Sequence, residues 1–121
     1  MKFQEQKIKG VWVVEAETFK DFRGKLYRNF CQNEYTKMGL DASIVQTNIS
    51  ENCKMHTLRG LHYQVKPYEE SKIVTCIKGA IYDVVVDVRS DSETYLKWVS
   101  FELTAEDRLS IYVPKGCAHG Y

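Results

Sequence analysis

Apolar and polar residues alternate along most of the chain, which is the pattern of β-strands with two different faces. The pattern predicts six strands, which are rich in β-branched and aromatic residues. They are Val11–Ala16, Ser43–Ser50, Lys72–Gly79, Ala80–Arg89, Lys97–Thr104 and Leu109–Pro114. In the fourth strand, Asp83 and Asp87 alternate with Tyr82 and valines, so we expect the aspartate face to meet water or a polar cavity.

Turn residues separate the predicted strands, and only one short helix is predicted. The pair Lys78-Gly79 predicts a tight connection, and residues 89–93 and 104–108 predict polar loops. The helix is predicted over Gln32–Met38 and ends near Gly39. Strands at intervals of about ten residues, with turns between them, indicate an all-β sandwich or closed barrel.

Length and composition limit the class of protein. The 121 residues suit one domain, and the balance of 44% hydrophobic and 27% charged residues is that of a globular chain. A net charge of +1 gives no reason to expect nucleic acid or an anionic membrane as partner. No apolar run approaches the length of a membrane span, and the polar start MKFQEQKIKG does not have the pattern of a signal peptide. We therefore expect a single domain over residues 1–121, located in the cytoplasm.

The chain has four cysteines, whose spacing is that of neither a zinc site nor a dense disulfide framework. They are Cys31, Cys53, Cys76 and Cys117, and none forms a C-x-x-C pair. We expect reduced, mostly buried thiols.

Two of the three histidines lie in strong local patterns. His62 lies in LRGLHYQ, a run with the composition of a buried strand, and His119 ends PKGCAH, in which Pro and Gly shape a turn before the next strand. Inward positions at one mouth of a small barrel can bring two such histidines together. On its own pattern, His62 is better interpreted as a hydrogen-bonded core histidine, and the second motif reverses this preference in favour of a shared site. His56 lies in a polar loop and is expected to be solvated.

The run P-x-G-x-x-H resembles the second half of the cupin signature. The first half normally supplies His-x-His and a glutamate as metal ligands, whereas this chain has His62-Tyr63-Gln64. Two histidines, with Glu69 or Glu70 as the remaining candidate ligands, make a poor metal cage. We therefore expect a barrel without metal or other cofactor, whose histidines serve acid–base chemistry or binding. A metal-dependent cupin, such as an isomerase or dioxygenase, is the alternative.

Several motifs, in this order and spacing, resemble the dTDP-4-dehydrorhamnose 3,5-epimerase family. They are DFRG (21–24), LRGLHYQ (58–64), the lysine of SKIV (Lys72), KGAIYDVVVDVR (78–89), SETYLKWVSFELTAED (92–107) and YVPKGCAHGY (112–121). The resemblance covers nearly the whole chain and implies a cupin-type double-stranded β-helix, or jelly-roll barrel. Because family members are usually longer, we expect residues 1–121 to be about the first two thirds of the family domain, truncated at the C-terminus.

The resemblance implies a metal-free isomerase of deoxysugar biosynthesis, the rhamnose-type route to cell-surface polysaccharide. Its substrate would be a dTDP-4-keto-6-deoxy sugar, epimerised at C3 and C5 by proton abstraction next to the C4 ketone. Such chemistry needs a base that titrates near neutral pH and a cation or donor for the enolate oxygen. His62 matches the family's base, and Lys72 matches the lysine that faces the C4 oxygen. Without the resemblance, Lys72 would be interpreted as an exposed strand lysine.

The resemblance also implies a set of substrate-binding residues. Arg59 and Arg23 match arginines that hold the diphosphate, and Arg23 matches the one delivered from the neighbouring subunit of a homodimer. Guanidinium groups suit this role because they fork onto phosphate oxygens. Gln46 and Asn48 match a Q-x-N pair that lines the nucleotide and sugar site, and their alternate positions place them on one face. His119 matches a second pocket histidine that binds substrate.

The family's general acid is a tyrosine about a dozen residues past the position of His119, and the aspartate that orients the base lies further on. Both positions fall beyond Tyr121. Within the chain, Asp83 is expected to support the site. The resemblance therefore implies a base without its acid among these residues, and a short or inactive member that binds a sugar nucleotide without inverting it stays as an alternative.

Overall fold

The computed structural model describes residues 1–121, and nearly all of their regular structure is β. The elements, in chain order, are β1 (Lys2–Glu5), β2 (Trp12–Glu15), β3 (Thr18–Asp21), β4 (Gly24–Tyr27), α1 (Gln32–Lys37), β5 (Lys72–Thr75), β6 (Ala80–Asp87), β7 (Trp98–Thr104), β8 (Leu109–Val113) and β9 (Cys117–Gly120). The all-β class predicted from the sequence is confirmed. Neither the length nor the apolar character that a membrane-spanning helix needs is found in any helix of these residues.

Two antiparallel sheets stack to form the cupin-type jelly roll. One sheet has the order β1-β2-β8-β5, and the other has the order β7-β6-β9. Strands β3 and β4 form a separate hairpin that pairs with neither sheet. The main core takes side chains from both sheets, which therefore pack face to face. Its buried members are Ile8, Val11, Cys76, Val85, Leu103, Ile111, Val113 and Cys117.

Strand β6 shows which face of its sheet is the interior. Asp83, Val85 and Asp87 are fully buried, whereas Tyr82 on the other face is 54% exposed. The possibility that the aspartate face meets water is therefore wrong. A buried carboxylate is tolerated because charged or polar groups hydrogen-bond to it, and Asp87 accepts such bonds from Arg89.

The helix packs a second core against the outer face of the four-stranded sheet. Tyr35 of α1 is completely buried beside Val14 and Tyr112, which lie on β2 and β8. The helix ends at Lys37, and Gly39 has a φ of +74°, a left-handed conformation that commonly ends a helix. The predicted helix is thus confirmed to within one residue.

The predicted strand over Ser43–Ser50 is wrong. No strand lies between α1 and β5, and all of residues 43–50 are exposed. Their composition favours a strand, but a strand also needs a neighbour for its backbone groups, and none of the nine strands pairs with this segment. Conversely, β1, β3 and β4 were not predicted, because each has only four residues and includes charged ones.

The cysteines are four free thiols of differing exposure. Cys76 and Cys117 are buried, Cys31 is partly buried and Cys53 is exposed. Burial raises the pKa of Cys117 to about 11, so this thiol stays protonated. The expectation of mostly buried thiols therefore holds for Cys76 and Cys117, and not for Cys31 and Cys53.

Candidate active site between the two sheets

The structure brings together the two histidines that the sequence places in separate motifs. The segment containing His62 runs antiparallel to β9, and His62 and His119 form an isolated bridge. The His62 amide donates to the His119 carbonyl at 2.7 Å, and the His119 amide donates to the His62 carbonyl at 3.0 Å. Because residues paired in this way share a face, the two rings lie side by side, with centroids 6.5 Å apart.

The two histidines differ in burial. His119 pairs directly with Val85 of β6, so its side chain points toward the core, and it is only 8% exposed. His62 is exposed, and its segment forms a single bridge instead of the buried strand expected for Leu58–Gln64. The interpretation of His62 as a satisfied core histidine is therefore wrong. His62 instead lies at the open side of the space between the sheets.

Asp83 fixes the orientation of the buried histidine. Its Oδ2 lies 3.1 Å from His119 Nδ1, and the carboxyl is completely buried. A carboxylate only accepts hydrogen bonds, so Nδ1 carries a proton, and in the neutral imidazole Nε2 is then the acceptor. The other carboxylate oxygen, Oδ1, has no hydrogen-bond partner. Asp83 thus orients the His119 ring.

Lys72 reaches the same space from the opposite sheet. It is the first residue of β5 and pairs with Val113 of β8, so both side chains lie on one face. Val113 packs in the main core with Val85, whose face of the other sheet also carries His119. Lys72 therefore lies on the core-facing side of one sheet, and His119, with His62 paired to it, lies on the core-facing side of the other.

The environment of Lys72 is partly desolvated. Its side chain is 22% exposed, and its ammonium forms an ion pair with Glu70. Burial lowers the pKa of Lys72 from its usual range, because a low-dielectric surrounding disfavours the charged form. An ammonium in such a place interacts more strongly with a developing negative charge than one in water does.

Arg59 lies on the same strand segment as His62. Its amide and carbonyl both pair with Tyr121, at 2.7 and 2.9 Å. Tyr121 and His119 are two residues apart and share a face, so Arg59 and His62, their partners, share it too. The guanidinium is exposed, and its Nε donates to Asn52 Oδ1 at 2.7 Å.

The remaining expected binding residues, Gln46, Asn48 and Arg23, are all exposed. Gln46 and Asn48 are exposed and adjacent, and Gln46 Nε2 donates to Asn48 Oδ1 at 3.2 Å. Arg23 lies in the β3–β4 hairpin, where its guanidinium forks onto Asp21 at 2.6 and 3.1 Å. No hydrogen bond or ion pair joins these three residues to His62, His119 or Lys72.

Two glycines at the site were not predicted. Gly60 and Gly120 lie against each other where the His62 segment meets β9. The sequence feature that could have indicated this contact is the spacing of Arg59 and His62. Residues three apart cannot share one face of a regular strand, so an irregularity between them was required. Nowhere in residues 1–121 are three His, Cys, Asp or Glu side chains grouped closely enough to hold a metal ion.

The chain is similar to known proteins of one family in both sequence and fold. The family model described as dTDP-4-dehydrorhamnose 3,5-epimerase matches residues 5–121. The chain is 41% identical over 121 residues to an epimerase of that name from Sinorhizobium fredii, covering all of this chain and 62% of the relative. The crystal structure of the Elizabethkingia anophelis enzyme superimposes with a TM-score of 0.94 at 39% identity, covering 99% of this chain and 66% of the other. The Bacillus anthracis enzyme, crystallised with TDP and PPi, gives 0.94 at 36% identity, with 98% and 68% covered.

Proposed function

Because the chain belongs to the dTDP-4-dehydrorhamnose 3,5-epimerase family, we propose that it is an isomerase that epimerises a dTDP-4-keto-6-deoxyhexose at C3 and C5. The chain spans 62% of the length of the Sinorhizobium relative. The observation that carries the proposal is that His62 is paired with core-facing His119 of one sheet, while Lys72 is paired with core-facing Val113 of the other. Residues 1–121 act as one cupin-like domain of a cytoplasmic homodimer in rhamnose-type deoxysugar biosynthesis.

His62 is the proposed base. A proton on the carbon next to a ketone is acidic enough for an imidazole to remove when the resulting enolate is stabilised. The exposure of His62 leaves its ring accessible to a sugar that enters between the sheets. His119 beside it presents Nε2 as an acceptor, because its Nδ1–H is held by Asp83, and this suits a bound sugar hydroxyl.

Lys72 is the proposed partner of the C4 oxygen. When the proton leaves carbon, negative charge develops on that oxygen, and a nearby ammonium stabilises it. In the free protein the ammonium is paired with Glu70, so substrate binding would replace or share this carboxylate. Partial burial of Lys72 strengthens the interaction with the enolate and keeps water from weakening it.

The nucleotide part of the substrate is assigned to the exposed polar groups. Arg59 shares a face with His62 and offers its guanidinium to a diphosphate. Gln46 and Asn48 offer amide donors and acceptors side by side to the nucleoside and sugar. Arg23, on the separate hairpin, is assigned to the diphosphate bound in a neighbouring subunit.

Deuterium exchange tests proton removal separately from inversion. The protein is incubated in deuterated water with dTDP-4-keto-6-deoxyglucose, and label at C3 and C5 is followed by NMR. We expect incorporation at both carbons, abolished in His62→Ala and slowed about 100- to 1,000-fold in Lys72→Met, the usual cost of losing an oxyanion partner. The exposed residues His56 and Lys78 provide the matched controls His56→Ala and Lys78→Met, which should exchange like the unmodified protein.

The outcomes separate the rival functions. Incorporation of deuterium together with formation of the 4-keto-L-rhamnose product supports the proposed epimerase activity. Tight binding of dTDP without any label supports a protein that binds a sugar nucleotide and leaves it unchanged. Full exchange in His62→Ala would contradict the assignment of the base. A stoichiometric transition metal, lost in both His62→Ala and His119→Ala, would instead support a metal-dependent cupin.

A further inference from the structure

The spacing of Arg59 and His62 conflicts with the geometry of a regular strand. Side chains alternate between the two faces, so residues three apart point in opposite directions. Yet Arg59 pairs with Tyr121, the residue that follows β9, and His62 pairs with His119 of β9, and these two partners share a face. Something between positions 59 and 62 must therefore reset the alternation.

The reset is a β-bulge. Between the two hydrogen-bonded pairs, the segment carries two residues, Gly60 and Leu61, whereas β9 carries only Gly120. Two residues opposite one is the defining count of a bulge, and the extra residue shifts every later side chain to the other face. Without the bulge, either Arg59 or His62 would point away from the space between the sheets.

Two glycines make this close contact sterically possible. Gly60 has a φ of +107°, and a Cβ there would lie 2.7 Å from the His119 carbonyl oxygen and 2.8 Å from the Gly120 Cα. A Cβ on Gly120 would lie 2.6 Å from the Arg59 carbonyl oxygen. All of these atoms are backbone, which cannot move aside as a flexible side chain could, so neither position accepts a side chain without a shift of the backbone.

We propose that the bulge formed by Gly60 and Leu61 opposite Gly120 is the positioning device that places Arg59 and His62 on one face, with Gly60 and Gly120 as its positioning residues. The bulge lets Arg59 bind the diphosphate of the same substrate molecule from which His62 removes a proton. The roles of these two side chains rest on the proposed function, whereas the pairing of the backbone does not.

A substitution and a compensating deletion test the proposal. In Gly60→Ala the methyl group cannot fit the bulge, so the segment shifts by one position and only one of the two side chains keeps its face. Deleting Leu61 from Gly60→Ala removes the extra residue. Arg59 and the histidine are then two apart, and a regular strand places both on one face. The matched control is Gly79→Ala, a glycine with a φ of +74° and no atom within 4 Å of its added Cβ.

Two kinds of measurement are compared in the full chain. Nuclear Overhauser contacts between selectively labelled histidines report whether the rings of His62 and His119 still lie together, independently of any reaction. Deuterium wash-in and dTDP binding report the use of the base and the guanidinium. We expect Gly60→Ala to lose the ring contact or to lose dTDP affinity, and to lower wash-in by about 100-fold, the scale of a misplaced reacting group. Deleting Leu61 from Gly60→Ala should restore most of the lost ring contact or dTDP affinity and most of the wash-in rate. Gly79→Ala should leave all three as they are in the unmodified protein.

Failure of the inference and failure of the proposed function give different results. If Gly60→Ala keeps the ring contact and both activities, the positioning device is disproved. The same holds if Gly60→Ala lacking Leu61 is folded but recovers nothing. If the unmodified protein neither exchanges nor binds dTDP, while the ring contact is lost in Gly60→Ala and regained on deletion, the proposed function fails and the device stands.

Discussion

At the scale of single residues, Asp83 shows how this chain buries a charge. Its carboxylate is completely buried, has one partner, His119 Nδ1, and leaves one oxygen without a hydrogen bond. Burying such a group is costly, and natural proteins keep costly polar groups where they orient other groups. Asp83 therefore belongs to the site through the histidine that it holds.

Replacing Asp83 should alter the tautomer of His119 more than the stability of the fold. In Asp83→Asn the amide can donate as well as accept, so His119 is no longer restricted to the Nδ1–H form. Nitrogen-15 NMR of the labelled histidine should show the Nε2–H form gaining population. Asp83→Ala should also lower the free energy of unfolding in urea by roughly 1–3 kcal/mol, because Nδ1–H is left unpaired.

The matched control for this prediction is Glu102→Gln. Glu102 is an exposed carboxylate on the neighbouring strand β7, and it pairs across the sheet with Tyr82. The change should leave both the tautomer and the unfolding free energy as they are. An unaltered His119 spectrum in Asp83→Asn would show that the carboxylate does not select the tautomer.

The pairing of the two histidines could be predicted from the sequence, whereas the bulge beside them could not. Motif context identified His62 and His119 as partners, since each lies beside turn-forming residues at a strand end. The bulge was not predicted, because a glycine between Arg59 and Leu61 has many explanations until its pairing partner is known. Only the pairing with β9 shows that Gly60 and Gly120 meet.

At the scale of elements, the predicted strands that formed all have a partner strand, and the one that did not form has none. β6 and β8 combine strong strand composition with neighbours on both sides, and both were predicted. Residues 43–50 have similar composition but make no strand pairing, so propensity alone was misleading. A sequence shows the preference of a segment and leaves its partner undetermined.

Helix α1 offers a prediction in which two similar changes have opposite effects. Tyr35 is completely buried with its hydroxyl unpartnered, and burial raises its pKa to about 12. Tyr112 lies in the same cluster, but its hydroxyl accepts a hydrogen bond from the Asp41 amide at 3.1 Å. Tyr35→Phe should therefore raise the free energy of unfolding by about 1 kcal/mol, whereas Tyr112→Phe should lower it by about 1 kcal/mol. Denaturant unfolding of both variants checks the sign, and equal effects would contradict the assignment.

The loop that follows β6 depends on one ionised carboxylate. Burial alone would raise the pKa of Asp87, but hydrogen bonds from Arg89, Ser92 and Thr94 outweigh it and hold the pKa far below its usual range. These bonds run from Arg89 Nε at 2.8 Å and from the Ser92 and Thr94 hydroxyls at 2.6 Å. Arg89 also donates to the Lys9 carbonyl, so the carboxylate connects the β6–β7 loop to the β1–β2 loop.

Removing this carboxylate should destabilise the protein in a pH-dependent way. Asp87→Ala should lower the free energy of unfolding by roughly 3–5 kcal/mol at pH 7, because a partly buried guanidinium loses its partner. Since the folded pKa is depressed, the stabilisation is present above the unfolded value near 3.9 and is lost as pH falls toward the folded value. The difference in unfolding free energy between the unmodified protein and Asp87→Ala should therefore shrink progressively below about pH 4. Glu93→Gln, an exposed carboxyl change in the same loop, is the control, and a gap independent of pH would contradict the mechanism.

At the scale of the whole molecule, the β3–β4 hairpin stands out because three of its large apolar side chains are exposed. It pairs with neither sheet, and its apolar side chains are exposed: Phe22 by 97%, Leu26 by 73% and Phe19 by 63%. A two-stranded hairpin without a packing partner is marginally stable in water. Exposed aromatic residues beside Arg23 fit a hairpin that packs on a second subunit and brings a guanidinium to its site.

Mixing two defective proteins tests this arrangement. Arg23→Ala and His62→Ala should each be inactive as separate homodimers. If Arg23 serves the neighbouring site, a mixed dimer contains one site with an intact His62 from one subunit and an intact Arg23 from the other. Random exchange of equal amounts should then restore about a quarter of the normal wash-in rate, since half of the dimers are mixed and half of their sites are complete. If Arg23 serves its own subunit, every site in every dimer lacks one of the two groups, and mixing restores nothing. Mixing Arg59→Ala with His62→Ala is the matched control, because these residues share one strand segment and no combination of subunits can reunite them.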